Sequence, residues 1–433
     1  ANPERARPRN TVQVSETRAD SEAIAEQALE WIVSASEPTE HGLRWRSRGE
    51  VNHTLYGGGA GILMALLEAH HHFALDRYLD VARAAGRELA EAIDSWDQSS
   101  LYFGLTGAAV ALRALADVTG DPLAHASAAR ALEKVRTRFD GERWGEQFEM
   151  LAGNAGIALG ALYVGDLDLA VLAVHPYLAA AEETPAGLQW EHRRGVTSRL
   201  HHISHGTLGI VHALAAVGLA AQRPDLVELA LGGAADVVSR SEATSEGFLV
   251  PHSDPPYRPE LIERISYGWC HGPAGDAQVF RLLSVVTGDP RWTDLTDRCW
   301  QTLITSGLPQ RLRPGFWDNS ARCCGTAGVL AFASDRRVER GGDLHFARRL
   351  VNDIAARATI DAAGARWSNV EHRATPGDLE PEVGWAQGNA GIIRELLRVT
   401  RLERDDEPDY FVPWPDHPAA GPRTLAVRSA PVT

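Results

Sequence analysis

Seven Gly-x-x-Gly elements constrain what this chain can fold into more than any other feature. They fall at Gly58–Gly61, Gly104–Gly107, Gly153–Gly156, Gly206–Gly209, Gly272–Gly275, Gly325–Gly328 and Gly388–Gly391, and each leads into an apolar run rich in Ala, Leu and Ile. Their starts are 46, 49, 53, 66, 53 and 63 residues apart, too far for one helix per repeat and about right for two helices with connections. Each unit therefore reads as a helix pair. The helices that begin at the glycines, such as Gly61-Ile62-Leu63-Met64-Ala65-Leu66, are apolar over much of their circumference and should form a buried inner layer. Those between them, for example Ser21 to Ala35, Asp121 to Phe139, Asp289 to Ser306 and Asp343 to Ala358, are amphipathic and should form an outer layer.

Local signals mark the joints. Thr119-Gly120-Asp121-Pro122 and Thr287-Gly288-Asp289-Pro290 each close one helix with Gly and open the next with an Asp cap and Pro in the first turn. Short extended pieces carry a recurring tryptophan, at Trp45, Trp190, Trp317 and Trp367; these read as rim hairpins or loops whose tryptophans pack or floor a substrate site. An open superhelix of helix pairs exposes apolar ends that need capping repeats, and none is evident. The expected fold is all-α, an α/α toroid with seven helix pairs in a double-layered ring, with an open solenoid as the alternative that periodicity leaves standing. Glycine at the helix starts suits a ring, because inner helices converge on a narrow axis.

The unbroken repeat argues for one large domain over residues 21–402, with a polar extension at 1–20 and a Pro-rich tail at 403–433 that lies against the body or is disordered. A formal net charge of −14 argues against nucleic acid or an anionic membrane as partner. Arg193-Arg194 and Arg336-Arg337 read as solvated loop ends. No stretch is apolar and long enough to span a bilayer, and the first ten residues lack the apolar core of a signal peptide, so a cytoplasmic location is expected. The chain does not open on Met, which suggests a trimmed N-terminus.

Three of the four cysteines sit directly before equivalent helix starts, Cys270 in Trp269-Cys270-His271 and Cys323-Cys324 one repeat later. Zinc takes thiolate ligands in tetrahedral geometry, and catalytic sites keep three protein ligands and one exchangeable position. Helix N-termini also favour thiolate over thiol. The alternatives are buried apolar cysteines or a vicinal Cys323–Cys324 disulfide. Cys299 lies mid-helix and reads as core.

With its glycine repeats and these cysteine elements, nearly the whole chain resembles the LanC-like lanthionine cyclases. The resemblance implies one catalytic zinc on Cys270 and Cys323, with Cys324 where the family usually has His. It implies addition of a substrate cysteine thiol to dehydroalanine or dehydrobutyrine, giving a thioether. Zinc suits that step because it holds as thiolate a thiol whose ordinary pKa is roughly 8.5; three protein thiolates should leave the nucleophile more reactive and less discriminating. His205 occupies the family's catalytic histidine position, and Glu149 that of an acidic residue, usually Asp, that orients it; Glu149 also reads simply as a helix N-terminal acid. His271 could polarise the substrate carbonyl, donate the proton, or bond the backbone and fix the cysteine loop. Trp269 should pack beneath the metal. Four residues before Cys270, where some relatives carry Arg, stands Ser266, with Arg264 nearby but not equivalent. His201 and His202 read as exposed loop histidines.

The implied partner is a dehydrated precursor peptide made by a separate dehydratase, since no kinase, lyase or dehydratase segment fits within the repeats. The 66-residue spacing leaves little room for an inserted peptide-binding domain. Three other readings compete. One adds glutathione or another small thiol to dehydroamino acids; another is a noncatalytic zinc-bearing peptide-binding scaffold. A glycosidase or prenyltransferase on another α/α toroid fits less well, because three cysteines suit thiols better than sugars.

Overall fold

The computed structural model describes residues 19–310, 319–369, 379–406 and 409–418. Among these are fifteen α-helices: α1 (Ser21–Ser34), α2 (Gly59–Phe73), α3 (Asp76–Ala92), α4 (Leu105–Thr119), α5 (Pro122–Thr137), α6 (Asn154–Val164), α7 (Leu167–Val174), α8 (Tyr177–Ala180), α9 (Thr207–Ala220), α10 (Pro224–Ser239), α11 (Pro273–Thr287), α12 (Pro290–Thr305), α13 (Thr326–Arg340), α14 (His345–Arg357) and α15 (Asn389–Glu403). Strand structure among the described residues is limited to antiparallel two-stranded pieces.

The predicted joints form as their chemistry dictates. Asp121 and Asp289 cap α5 and α12 through their side chains, accepting from the N–H of Leu123 and Arg291. The preceding helices end on Gly120 at φ 70° and Gly288 at φ 67°, left-handed conformations that glycine adopts without a Cβ penalty. Every inner helix (α2, α4, α6, α9, α11, α13, α15) opens just after the first glycine of its repeat. Each packs on its inner neighbours, and α15 packs on α2, which closes the ring. The alternative solenoid is therefore not what forms. Six inner helices pair with the outer helix that follows in sequence, whereas α15 pairs with α1 from the other end of the chain.

Closure is visible atom by atom at the helix starts. The residue two before each first glycine donates its N–H to the carbonyl of its counterpart in the next repeat: Tyr56 to Tyr102 (3.0 Å), Tyr102 to Leu151 (3.1 Å), Leu151 to Ser204 (3.3 Å), Ser204 to Cys270 (3.3 Å), Cys270 to Cys323 (3.1 Å), Cys323 to Ala386 (2.9 Å) and Ala386 back to Tyr56 (2.8 Å). This seven-membered girdle satisfies backbone groups that would otherwise be buried without partners. The second glycine of each repeat lets the neighbouring loop approach. A Cβ on Gly391 would stand 2.6 Å from Cβ of Arg322 and collide with the carbonyl of Trp385.

The rim tryptophans pack. Trp45, Trp190 and Trp367 are buried, and their indole N–H groups donate to the carbonyls of Ile32, Tyr177 and Ile354 at 2.8, 3.0 and 2.8 Å, tying each rim hairpin to an outer-layer helix. Trp317 lies outside the described residues. Residues 409–418 lie against the inner layer: Trp414 stacks on Trp385 (4.6 Å between centroids), the N–H of Val412 donates to Glu68 (2.9 Å), and Tyr102 donates to Asp416 (2.9 Å). Arg336 pairs with Asp297 of α12. Among the described residues no helix is long and apolar enough to cross a membrane.

Candidate metal centre

Consecutive girdle positions belong to Cys270 and Cys323, and Cys324 follows one residue later. Packing of the fifth repeat on the sixth thereby places sulfurs 53 and 54 residues apart in sequence on one spot. The three Sγ atoms lie within 4.8 Å of one another, with Cys270 and Cys324 3.5 Å apart. All four cysteines are free, so the vicinal disulfide does not form; Cys299 is buried in the core of α12, away from this group. Trp269 is buried directly before Cys270 and packs edge-on against Trp385 (5.4 Å) and beside Tyr102 (6.1 Å).

Electrostatics here run against the expectation from helix dipoles alone. Burial, reinforced by the neighbouring sulfurs, pushes the Cys270 thiol well above its ordinary pKa. At Cys323 a hydrogen bond from Cys270 pulls the other way, but contact with Cys324 and burial outweigh it, and this thiol also rises well above the ordinary value. Three soft donors that oppose one another's ionisation, buried and within bonding reach of a common centre, are the donor set a thiophilic divalent cation would satisfy. The residues present fit zinc.

A cavity of about 300 Å³ opens over the sulfurs, lined among others by Tyr56, His192, His205, His252, Tyr257 and Gln387. Glu149 is fully buried behind His205 and accepts from the N–H of Leu151 (2.8 Å), the N–H of Ala152 (2.8 Å) and Nδ1 of His205 (2.9 Å). The His205 side chain keeps 38% exposure, so the imidazole stays accessible from the cavity. Burial alone would lower its pKa; the charge and hydrogen bond of Glu149 win, and it rises above the ordinary value. His205 is fixed to the sulfur side of the ring by Ser204, whose Oγ donates to the carbonyl of Cys270 (2.8 Å).

His271 stacks on His205 (5.8 Å between centroids) and meets His252 edge-on (4.3 Å). Its Nδ1 is buried without a hydrogen-bond partner among the described residues, so no backbone bond through that atom fixes the cysteine loop. Burial, then the neighbouring imidazoles, hold His271 well below its ordinary pKa; the same causes bring His252 down to about 3. Burial likewise takes His192 to about 4.

The structure thus gathers Cys270, Cys323, Cys324, His205 and His271 around one cavity, with Glu149 behind His205. It corrects the reading of His201 and His202, which are buried: Nδ1 of His201 meets the carbonyl of Pro251 (2.8 Å), and Nδ1 of His202 meets Asp276 (2.7 Å). Arg264 pairs on the surface with Glu242, while Ser266 lines the cavity. Sequence reasoning missed Tyr56, His252 and Gln387. Aligning the seven repeats residue by residue could have found two of them, because Gln387 stands at the place of Cys324 and Tyr56 at that of Cys323.

Residues 49–258 and 256–340 match the family model described as Lanthionine synthetase C-like protein. No curated protein sequence matches the chain. Among solved structures, nisin cyclase superposes with a TM-score of 0.61 at 16% identity, over 90% of this chain and 95% of that one. The Lin0763 protein from Listeria innocua superposes with a TM-score of 0.53 at 12% identity, over 90% and 99%. At these identities the likeness is one of fold.

Proposed function

The chain belongs to the lanthionine synthetase C-like family, and from that premise we propose that it is a zinc-dependent peptide cyclase. In this reading it adds substrate cysteine thiolates to dehydroalanine or dehydrobutyrine and forms lanthionine or methyllanthionine thioethers. The observation that carries it is the meeting of a three-cysteine group and an acid-paired histidine on one cavity. When bound, zinc would be held by Cys270, Cys323 and Cys324 and would keep a peptide thiol deprotonated at neutral pH, in a position left free by the protein.

The residues then divide the remaining work. The thiolate sulfur bonds to the β-carbon, the alkene electron pair moves toward the adjacent carbonyl, and the resulting enolate takes a proton at the α-carbon. His205 carries that proton, because Glu149 favours its charged form. His271 is neutral in its buried setting and donates a hydrogen bond to the substrate carbonyl, where charge develops. The partner is a peptide dehydrated by a separate enzyme.

The test is mass spectrometry on dehydrated peptides with and without a cysteine. Intramolecular addition leaves the mass unchanged and removes reactivity toward thiol-alkylating reagents, and it occurs only in the cysteine-bearing peptide. Exclusive gain of one glutathione per site, when glutathione is supplied, would replace the cyclase reading with small-thiol addition. No enzyme-dependent change with zinc present would favour the scaffold.

A further inference from the structure

Two hydrogen-bond donors from the seventh and first repeats reach the sulfur cluster. Gln387 Nε2 lies 3.2 Å from Cys324 Sγ, and the Tyr56 hydroxyl lies 3.9 Å from Cys323 Sγ. The girdle brings them there: Cys323 donates its N–H to Ala386 of the next repeat (2.9 Å), and Ala386 donates to Tyr56 across the closure of the ring (2.8 Å).

The Gln387 amide is held in one orientation. Its Oε1 accepts from Asn319 Nδ2 (2.9 Å), and Asn319 Oδ1 in turn accepts from the N–H of Ala321 (2.7 Å). The backbone carbonyl of Gln387 accepts from Asn369 Nδ2 (2.7 Å), while Asn369 Oδ1 accepts from the N–H of Ser320 (2.8 Å). With its oxygen role fixed in this way, the Gln387 amide nitrogen faces the sulfur side, where it meets Cys324 Sγ and also hydrogen-bonds the Tyr56 hydroxyl. A side chain that merely filled space would not require its amide oxygen to be pinned.

The charge balance of the site says what this donor is for. Three thiolates around a divalent cation leave one uncompensated negative charge in a buried place, and a substrate thiolate would add a second. N–H and O–H donors to sulfur withdraw that charge and hold the ligand in place. We propose that Gln387, assisted by Tyr56, is a positioning residue that hydrogen-bonds the thiolate ligands, fixes Cys324 and makes an all-cysteine site tenable. This rests on the metal reading of the site given above.

The test replaces zinc with cobalt in the full chain, without peptide. It reads the sulfur-to-cobalt charge-transfer band and the cobalt affinity by chelator competition. Gln387→Met removes the donor at similar length; its band should move to longer wavelength, because the sulfur lone pairs rise in energy, and affinity should fall about 10-fold. Tyr56→Phe, which preserves shape, should move the band the same way by less. A band unmoved in both variants overturns the proposal, and so does an affinity loss without a band shift, which marks a purely structural role. Absence of any such band in the parent chain would instead overturn the metal reading itself.

Discussion

At His205 two opposing effects meet, and which one wins decides what the residue can do. Burial favours the neutral ring, but the fully buried Glu149 carboxylate makes the charged ring the better state. The protonated form therefore persists above the ordinary imidazole pKa of about 6.5. The cyclisation rate should fall as pH rises through the raised value, and in Glu149→Gln that fall should begin at lower pH; a pH–rate profile of each checks this. His205→Asn should keep its zinc and slow thioether formation by roughly 10²–10⁴, whereas Cys324→Ala should lose metal and activity together. The cysteines were legible because they recur at equivalent repeat positions, and His205 because the resemblance points to it. The burial of His201 and His202 was not legible, since the groups that bury and bond them lie 48 to 74 residues away. His252 belongs to a segment between α10 and α11 that no repeat register indexes.

The helices were legible where local chemistry ends them. Asp121 caps α5 just as the Asp-Pro pair implies, and Asp121→Ala should cost about 1 kcal/mol in denaturant unfolding. Gly391→Ala belongs to another class, because its Cβ would meet backbone carbonyl and the Arg322 stem together; it should destabilise by more than the cap does, and the same unfolding measurement ranks the two. Pairing between layers was less legible. Nothing local to α1 says that it packs on α15 at the far end of the chain, since α1 carries the same outer-layer signal, and α15 the same inner-layer burial, as helices that pair with sequence neighbours.

Across the whole molecule, packing of neighbouring repeats makes the site, closure of the ring adds Tyr56 to it, and a buried ion network binds the inner layer together. Asp335 of α13 accepts from Arg281 of α11 and Arg398 of α15, each at 2.7 Å. Burial alone would raise its pKa, but the two guanidinium charges and then His417 hold it well below the carboxylate range. A depressed folded pKa means that this stability is present above the unfolded value of about 3.9 and is lost as pH falls through the folded one. Asp335→Asn leaves Arg281 and Arg398 without that counter-charge and should cost roughly 3–5 kcal/mol at neutral pH, with the gap to the parent narrowing in acid. The girdle that runs round the ring also sets Cys270 beside Cys323, so the central claim is that the packing of two neighbouring repeats builds a metal site. Zinc content per purified chain tests it most directly. The account predicts one zinc in the parent and in Cys299→Ala, and none in the Cys270→Ala, Cys323→Ala double variant; full retention in the double variant, or loss in Cys299→Ala, would contradict it.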